Sequence, residues 1–344
     1  MNDDPSPWPV STRAATLHRE ALVWDNHGCM PHVNCEAFLP QLERYRDGGV
    51  DVAVINLIDA DHGLDALLRL AATIRQFVKK HPDKLALVSS VADIRAARHA
   101  GRLAVLFDLE GLYAIGNQLS LLELLFDLGV RWMSMVYNRR NLVGSGCHDD
   151  EDTGLTSFGL QVVEEMDRIG IIKCCSHTGY RTARNVIDAS TKPVIFSHSV
   201  PHGIHAHPRN VPDELIRACA AGGGVIGING IGIFLGENDS SVDAMVHAIN
   251  YTVQLVGPGH VGLGLDYVFD QGGIDEVLSA NAHVWPQEYG YRPGISFFAP
   301  DDLPQLTDAL LDSGYADDDV RAILGGNWMR VAQQVWPEHN RSQI

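Results

Sequence analysis

The chain lacks any apolar run that approaches the eighteen residues a membrane-crossing helix needs; its longest apolar stretches are short, bounded by glycine or charge, and strand-like. It is also poor in positive charge. Twenty-six Lys and Arg stand against 43 Asp and Glu, a formal charge of -17, and no basic cluster offers the phosphate-neutralising surface that nucleic acid requires. Cysteine is sparse: six in 344 residues, irregularly spaced, do not make the dense disulfide framework of a small secreted domain, so reduced thiols are expected. Residues 1–10 carry Asp3, Asp4 and three prolines where an export signal needs a basic start and an apolar core. Together these absences lead us to expect a cytoplasmic protein that binds neither membrane nor nucleic acid.

What is present is an ordinary globular composition, 45% hydrophobic and 20% charged, read here as one domain over residues 1–344. Eight short β-rich runs follow one another: Leu22 to Cys29, Asp51 to Ile58, Leu103 to Glu110, Val130 to Tyr137, Ile171 to His177, Pro193 to His198, Gly224 to Asn229 and His260 to Asp266. Helical patterns separate them, among them Leu64 to Lys80, Leu119 to Leu128, Gly159 to Ile169, Arg181 to Ala189, Asp213 to Ala221 and Val242 to Val256. An open doubly wound sheet would show a Gly-rich phosphate turn after its first strand, and none is there. The alternation therefore predicts an α/β fold of the (β/α)8 TIM-barrel kind. Residues 1–20 read as a short extension. Residues 269–300, rich in Gly, Pro and aromatics, read either as a lid and pocket wall or as a loop packed outside the barrel.

Histidines and acids fall at the ends of different strands: His27 on the first, Glu110 on the third, His177 on the fifth, His198 on the sixth and Asp266 on the eighth. In a closed parallel barrel all C-terminal strand ends open on one face, so these five side chains are expected to share one mouth. Imidazoles and carboxylates in a concave mouth suit zinc, and a bridging Glu lets two metals share one water.

Several stretches carry a family resemblance: Glu110 in FDLEG, LTSFGLQVVEEMDRIGI running to Ser176 and His177, FSHS around His198, HPRNVPDE around Arg209, HVGLGLD ending at Asp266, and GGNWMRV near the C-terminus. In these the chain resembles the membrane dipeptidase (renal dipeptidase) family of zinc peptidases over nearly its whole length. The resemblance implies that His27 and Glu110 hold one zinc, and that Glu110 bridges to a second held by His177 and His198. It further implies that a bound hydroxide attacks the amide carbon, with Asp266 as acid and base. Arg209 would grip the substrate's free carboxylate, and two subunits would pair.

Three residues depart from the family's pattern. Cys29 stands where the first strand of the family carries a ligand Asp; positions 27 and 29 share a face, so Cys29 either ligates zinc as a thiolate or stands beside a one-metal site. Tyr137 replaces a His that polarises the substrate carbonyl, and its phenol is either a donor to the developing oxyanion or a packing residue. Cys174 replaces an acid on the fifth strand, where an indirect effect on ligand orientation is expected. His202, His205 and His207 read as pocket wall, Cys147 to Asp152 as a solvated loop, and His32 with Cys35 as residues near the mouth. The leading reading is a metal-dependent hydrolase of dipeptides or dipeptide-like small molecules. A one-metal amidohydrolase on another substrate and an inactive binding barrel are the alternatives.

Overall fold

The computed structural model describes residues 7–57 and 63–337. Ile58, the last residue of the second expected strand, lies outside them. Ten strands are described: β1 (Trp24–Cys29), β2 (Val52–Asn56), β3 (Leu85–Leu87), β4 (Leu103–Leu109), β5 (Val130–Ser134), β6 (Ile172–Cys174), β7 (Val194–Ser199), β8 (Ile226–Ile228), β9 (Val261–Leu263) and β10 (Tyr267–Val268). β1, β2 and β4 to β9 pair in parallel in chain order, and Asp25 opposite Leu263 joins β9 back to β1. The sheet is thus a closed eight-stranded barrel ringed by helices, as the alternation of elements predicts. β3 pairs beside the first half of β4, with Leu85 opposite Leu103. β10 continues β9 along β1 after a kink at Asp266, where φ is +58°.

Period two along the strands separates two cores. Val52 and Val54 join Ala104, Leu106, Trp132 and Ile195 in an inner cluster, while Ala53 and Ile55 face the helices with Val105 and Phe107. Trp328, from the helix Asn327–Val335, packs into the inner cluster and donates its indole N–H to the Leu263 carbonyl at 3.0 Å. Glycines make room for it: a Cβ on Gly262 would lie 2.6 Å from the indole, and one on Gly227 2.9 Å.

The helices follow their sequence signals. Leu64–Lys80 buries Leu67, Leu70, Ala71, Ile74 and Val78, one stripe at helical spacing. Thr156 caps Ser157–Ile169 by accepting from the Gly159 N–H at 2.9 Å, and Gly170, at φ +93°, ends it. The expected extension holds the helix Thr12–Glu20, tied to the helix Leu303–Asp312 by the Ser11 hydroxyl on Asp308 at 2.6 Å and His18 on Thr307 at 2.7 Å. Among the described residues no helix is long and apolar enough to cross a membrane.

Candidate metal centre

The closed barrel brings the strand-end residues together. His27 and Cys29 lie on β1, His198 on β7, Glu110 just past β4, His177 three residues past β6, and Asp266 at the kink between β9 and β10. The ligand atoms of Glu110, His177 and His198 lie within 4.8 Å of one another, and so do those of His27, Cys29 and Glu110. Glu110 belongs to both groups. A third group joins His27 and His198 to Asp266. His177 and Asp266 hold positive φ values, +66° and +58°, which a non-glycine residue adopts at a local cost.

Each imidazole is held from behind. His27 Nδ1 meets Asp108 Oδ2 at 3.0 Å, and Asp108 is held in turn by the Asn56 amide at 2.8 Å. His177 Nδ1 meets Asn138 Oδ1 at 2.7 Å, and His198 Nδ1 meets Ser197 Oγ at 2.8 Å. These acceptors place the ring protons on Nδ1 and turn the Nε2 lone pairs inward. Arg209 Nε also approaches His177 Nδ1, at 3.2 Å; the shorter Asn138 contact decides, because the Val284 carbonyl fixes the direction of that amide. Asp266 is steadied by the Asn229 amide on Oδ2 at 2.8 Å.

What faces inward is a set of acceptors short of cations. His177 Nε2 and His198 Nε2 are 2.8 Å apart, and both lie within 2.9 Å of Glu110 Oε1, a buried oxygen with no hydrogen-bond donor. Burial pushes the Glu110 carboxyl up to about 7 and both of these histidines well below their ordinary value. Burial also works against protonation of His27, but the charges of Glu110, Asp108 and Cys29 hold it well above its usual range. Asp266 stays charged in spite of its burial because His198 and His27 flank it. Converging lone pairs, an orphaned carboxylate oxygen and a proton trapped among acids are what one or two bound cations relieve, so the residues fit a metal. Cys29 Sγ lies 3.4 Å from His27 Nε2 and 3.1 Å from Asp266 Oδ1, on the inward face that period two requires.

Tyr137 stacks on the His177 ring at 4.3 Å between centroids, and its hydroxyl accepts from the Trp285 indole N–H at 3.1 Å. Arg209 lies behind the donors rather than in the main mouth, with one N–H each on Ser199 Oγ and the His198 carbonyl and its Nε beside His177 Nδ1. Cys174 Sγ meets Ser197 Oγ at 3.0 Å, one link behind His198. The three loop histidines join no cluster of metal-type donors among the described residues; His207 Nε2 meets the Tyr289 carbonyl at 2.7 Å. The expected solvated loop is instead an ordered turn: His148 is buried against the Tyr291 hydroxyl at 3.0 Å, and Asp152 accepts from the Thr182 hydroxyl at 2.8 Å. Sequence reasoning missed Asp108, Asn138, Ser197 and Asn229. Asp108 had a signal, since it lies two residues before Glu110 on the same strand face.

Two cavities border the centre. The larger, about 440 Å³, has Cys29, Glu110, Tyr137, His177 and Asp266 in its lining, with Trp285, Tyr291 and Phe297 of the 269–300 segment in its wall. That segment is therefore pocket wall. The smaller, about 240 Å³, is lined by His177, Arg209, Cys147 and Thr178, with His202 and His207 also in its wall.

A closed parallel barrel whose strand ends gather three imidazoles and two carboxylates into a polar centre beneath an apolar mouth is a metal-dependent hydrolase. More narrowly, the chain belongs to the membrane dipeptidase family (peptidase family M19), whose sequence profile matches residues 13–281. It is similar to dipeptidase verJ of Clonostachys rogersoniana, 27% identical over 316 residues that cover 90% of this chain and 74% of that enzyme. Dipeptidase aclJ of Aspergillus oryzae is 30% identical over 272 residues, 76% of this chain and 59% of that enzyme. Among solved structures, an amidohydrolase from Pseudomonas aeruginosa superposes with a TM-score of 0.84 at 33% identity, covering 94% of this chain and 99% of that one. A metallo peptidase from Rhodobacter sphaeroides, liganded with a phosphinate mimic of the dipeptide L-Ala-D-Ala, shares the fold at a TM-score of 0.77 and 20% identity, over 92% and 99% of the two chains.

Proposed function

We propose that the protein is a zinc-dependent dipeptidase that cleaves the amide bond of a dipeptide, or of a dipeptide-like small molecule, bearing a free carboxylate. The observation that carries this reading is the pair of three-donor groups sharing Glu110. In it, His27, Cys29 and Glu110 hold one zinc, and Glu110, His177 and His198 hold the other. Bound zinc supplies Lewis acidity toward the carbonyl and acidifies a water at neutral pH.

The remaining steps belong to side chains. Asp266, charged and pinned through Oδ2 by Asn229, takes the proton of the attacking water at Oδ1 and passes it to the departing amine. Tyr137, held by Trp285 at the cavity edge, donates its hydroxyl proton to the developing oxyanion. Arg209 has spent two of its five N–H groups on Ser199 and the His198 carbonyl and offers others to the carboxylate from the smaller cavity. All six cysteines are unpaired, which supports a reducing compartment as the place of work.

One observation favours a second reading. The Cys29 thiol points to Asp266 Oδ1 at 3.1 Å, and burial and Asp266 both push it well above its ordinary range, as expected of a neutral thiol beside a one-metal site. Metal analysis of purified protein, coupled to a panel of L,L- and L,D-dipeptides, separates these outcomes. Two zinc ions per chain with dipeptide cleavage is the expected result. One ion per chain supports the second reading, and a zinc-loaded protein that leaves the whole panel uncut refutes the substrate assignment.

A further inference from the structure

The larger cavity has walls that discriminate. Above the donor groups its lining is apolar, with Ile233, Phe234, Leu278, Trp285, Ile295 and Phe297 among the contributors, and exposed Val277 extends this surface to the rim. Among the described residues neither lysine nor arginine lines it, and Asp270 is the acid that its wall carries away from the metal centre. Away from the metal centre such a wall offers a free carboxylate no guanidinium or ammonium partner, and it accepts an ammonium beside an apolar side chain. Arg209, the guanidinium at the centre, borders the smaller cavity instead. His177 lines both, so the two meet at a residue of the candidate centre. A dipeptide with its scissile amide at that junction sends its carboxylate toward Arg209 and its N-terminal, acyl residue into the apolar cavity.

A methyl side chain would leave most of about 440 Å³ to water. Several wall residues, Trp285, Ile295 and Phe297 among them, lie beyond residue 281, where the match to the family profile ends. Part of this wall is therefore built from residues outside the matched family pattern.

We propose that the larger cavity selects dipeptides whose N-terminal residue carries a large apolar side chain, branched aliphatic or aromatic, over those beginning with alanine. The inference rests on the dipeptidase reading above and names its substrate class. Each methylene buried against a wall of this kind is worth roughly fourfold, so the three extra carbons of leucine are expected to raise kcat/KM on Leu-Ala about 60-fold over Ala-Ala, and Phe-Ala to gain at least as much. The reversed dipeptides, Ala-Leu and Ala-Phe, gain far less.

The full-length, zinc-loaded protein is assayed on these five dipeptides, and calorimetry compares its affinity for phosphinate mimics of Phe-Ala and Ala-Ala. Ile295→Ser is expected to reduce the Leu-Ala to Ala-Ala ratio by about tenfold, and Ile295→Leu to retain it. Equal rates on Leu-Ala and Ala-Ala, or a preference for Ala-Phe over Phe-Ala, would overturn the inference while leaving the dipeptidase reading in place. Should no dipeptide be cut, tighter binding of the Phe-Ala mimic sustains the cavity's preference although the activity assignment fails. Equal binding of the two mimics overturns the inference in either case.

Discussion

Withdrawing metal should lower thermal stability by an amount set by the number of sites. Two three-donor groups share Glu110, and each site filled at a free zinc concentration about 100 times its Kd contributes about 2.7 kcal/mol to the folded state. Unfolding 344 residues carries an entropy of roughly 0.7 kcal/mol/K at the typical per-residue value, so one filled site raises Tm by about 4 °C and two by about 8 °C. Scanning calorimetry of the chelated and zinc-loaded protein reads this difference. Cys29→Ala should leave about half of the shift, because Glu110, His177 and His198 survive it intact. Glu110→Gln should abolish nearly all of it, since that carboxylate belongs to both groups. An unchanged Tm on loading would refute the metal centre, and a full two-site shift in Cys29→Ala would refute the thiolate as a ligand.

Cobalt gives an independent check: the Co2+-substituted protein should show a thiolate-to-metal charge-transfer band in the near ultraviolet, and Cys29→Ser should lose it while retaining bound cobalt. Asp266→Asn should lower kcat by about 10² to 10⁴-fold at unchanged zinc content, and retention of full kcat would remove Asp266 from the proton path. His18, buried between Thr307 and Gly48, has its folded pKa lowered by burial to about 4 from 6.5. The unfolded chain therefore takes up this proton first as pH falls. The folded protein should lose about 3 kcal/mol of stability from this one group between pH 6.5 and 4, and a His18→Gln variant that retains the same acid slope in urea titrations would refute the assignment.

The barrel was legible because its signals are local and repeated. Eight apolar runs in order, with helical stripes between them, leave few topologies open, and all eight strands are found in the ring. Strand ends were read less well. β5 stops at Ser134 and β6 at Cys174, before Tyr137 and His177, because the chain turns out of the ladder to place side chains over the mouth. Asn138 at φ +51° and His177 at φ +66° mark that departure, and such strain has no signature in hydrophobic periodicity. The donors converge as the strand-end argument requires, since closure of the barrel alone brings them together. The groups behind them were hidden because Ser197 and Asn138 are ordinary polar residues until the fold sets them against an imidazole nitrogen. The helix Thr12–Glu20 was missed for a related reason: its burial depends on the helix Leu303–Asp312, nearly the whole chain away.

The departures from the family's pattern fall on one side of a physical division. Cys29, Tyr137 and Cys174 stand where the resemblance calls for an acid, an imidazole and an acid, so the charge and softness of the centre are altered. None of them is the partner of Nδ1 on a histidine of the centre. His27 is set by Asp108, His177 by Asn138 and His198 by Ser197, with Cys174 reaching the last only through the serine hydroxyl. The inward direction of three Nε2 atoms therefore survives all three exchanges. A thiolate at position 29 also keeps the single negative charge that an aspartate would bring, and the neutral phenol at position 137 keeps a hydrogen-bond donor at the cavity edge. It follows that Cys29→Asp should alter which metal the protein prefers before it alters how many ions bind: competition should move from cadmium toward manganese while stoichiometry stays fixed. A change in stoichiometry without a change in preference would mean that the scaffold, not the donor at position 29, sets the first site.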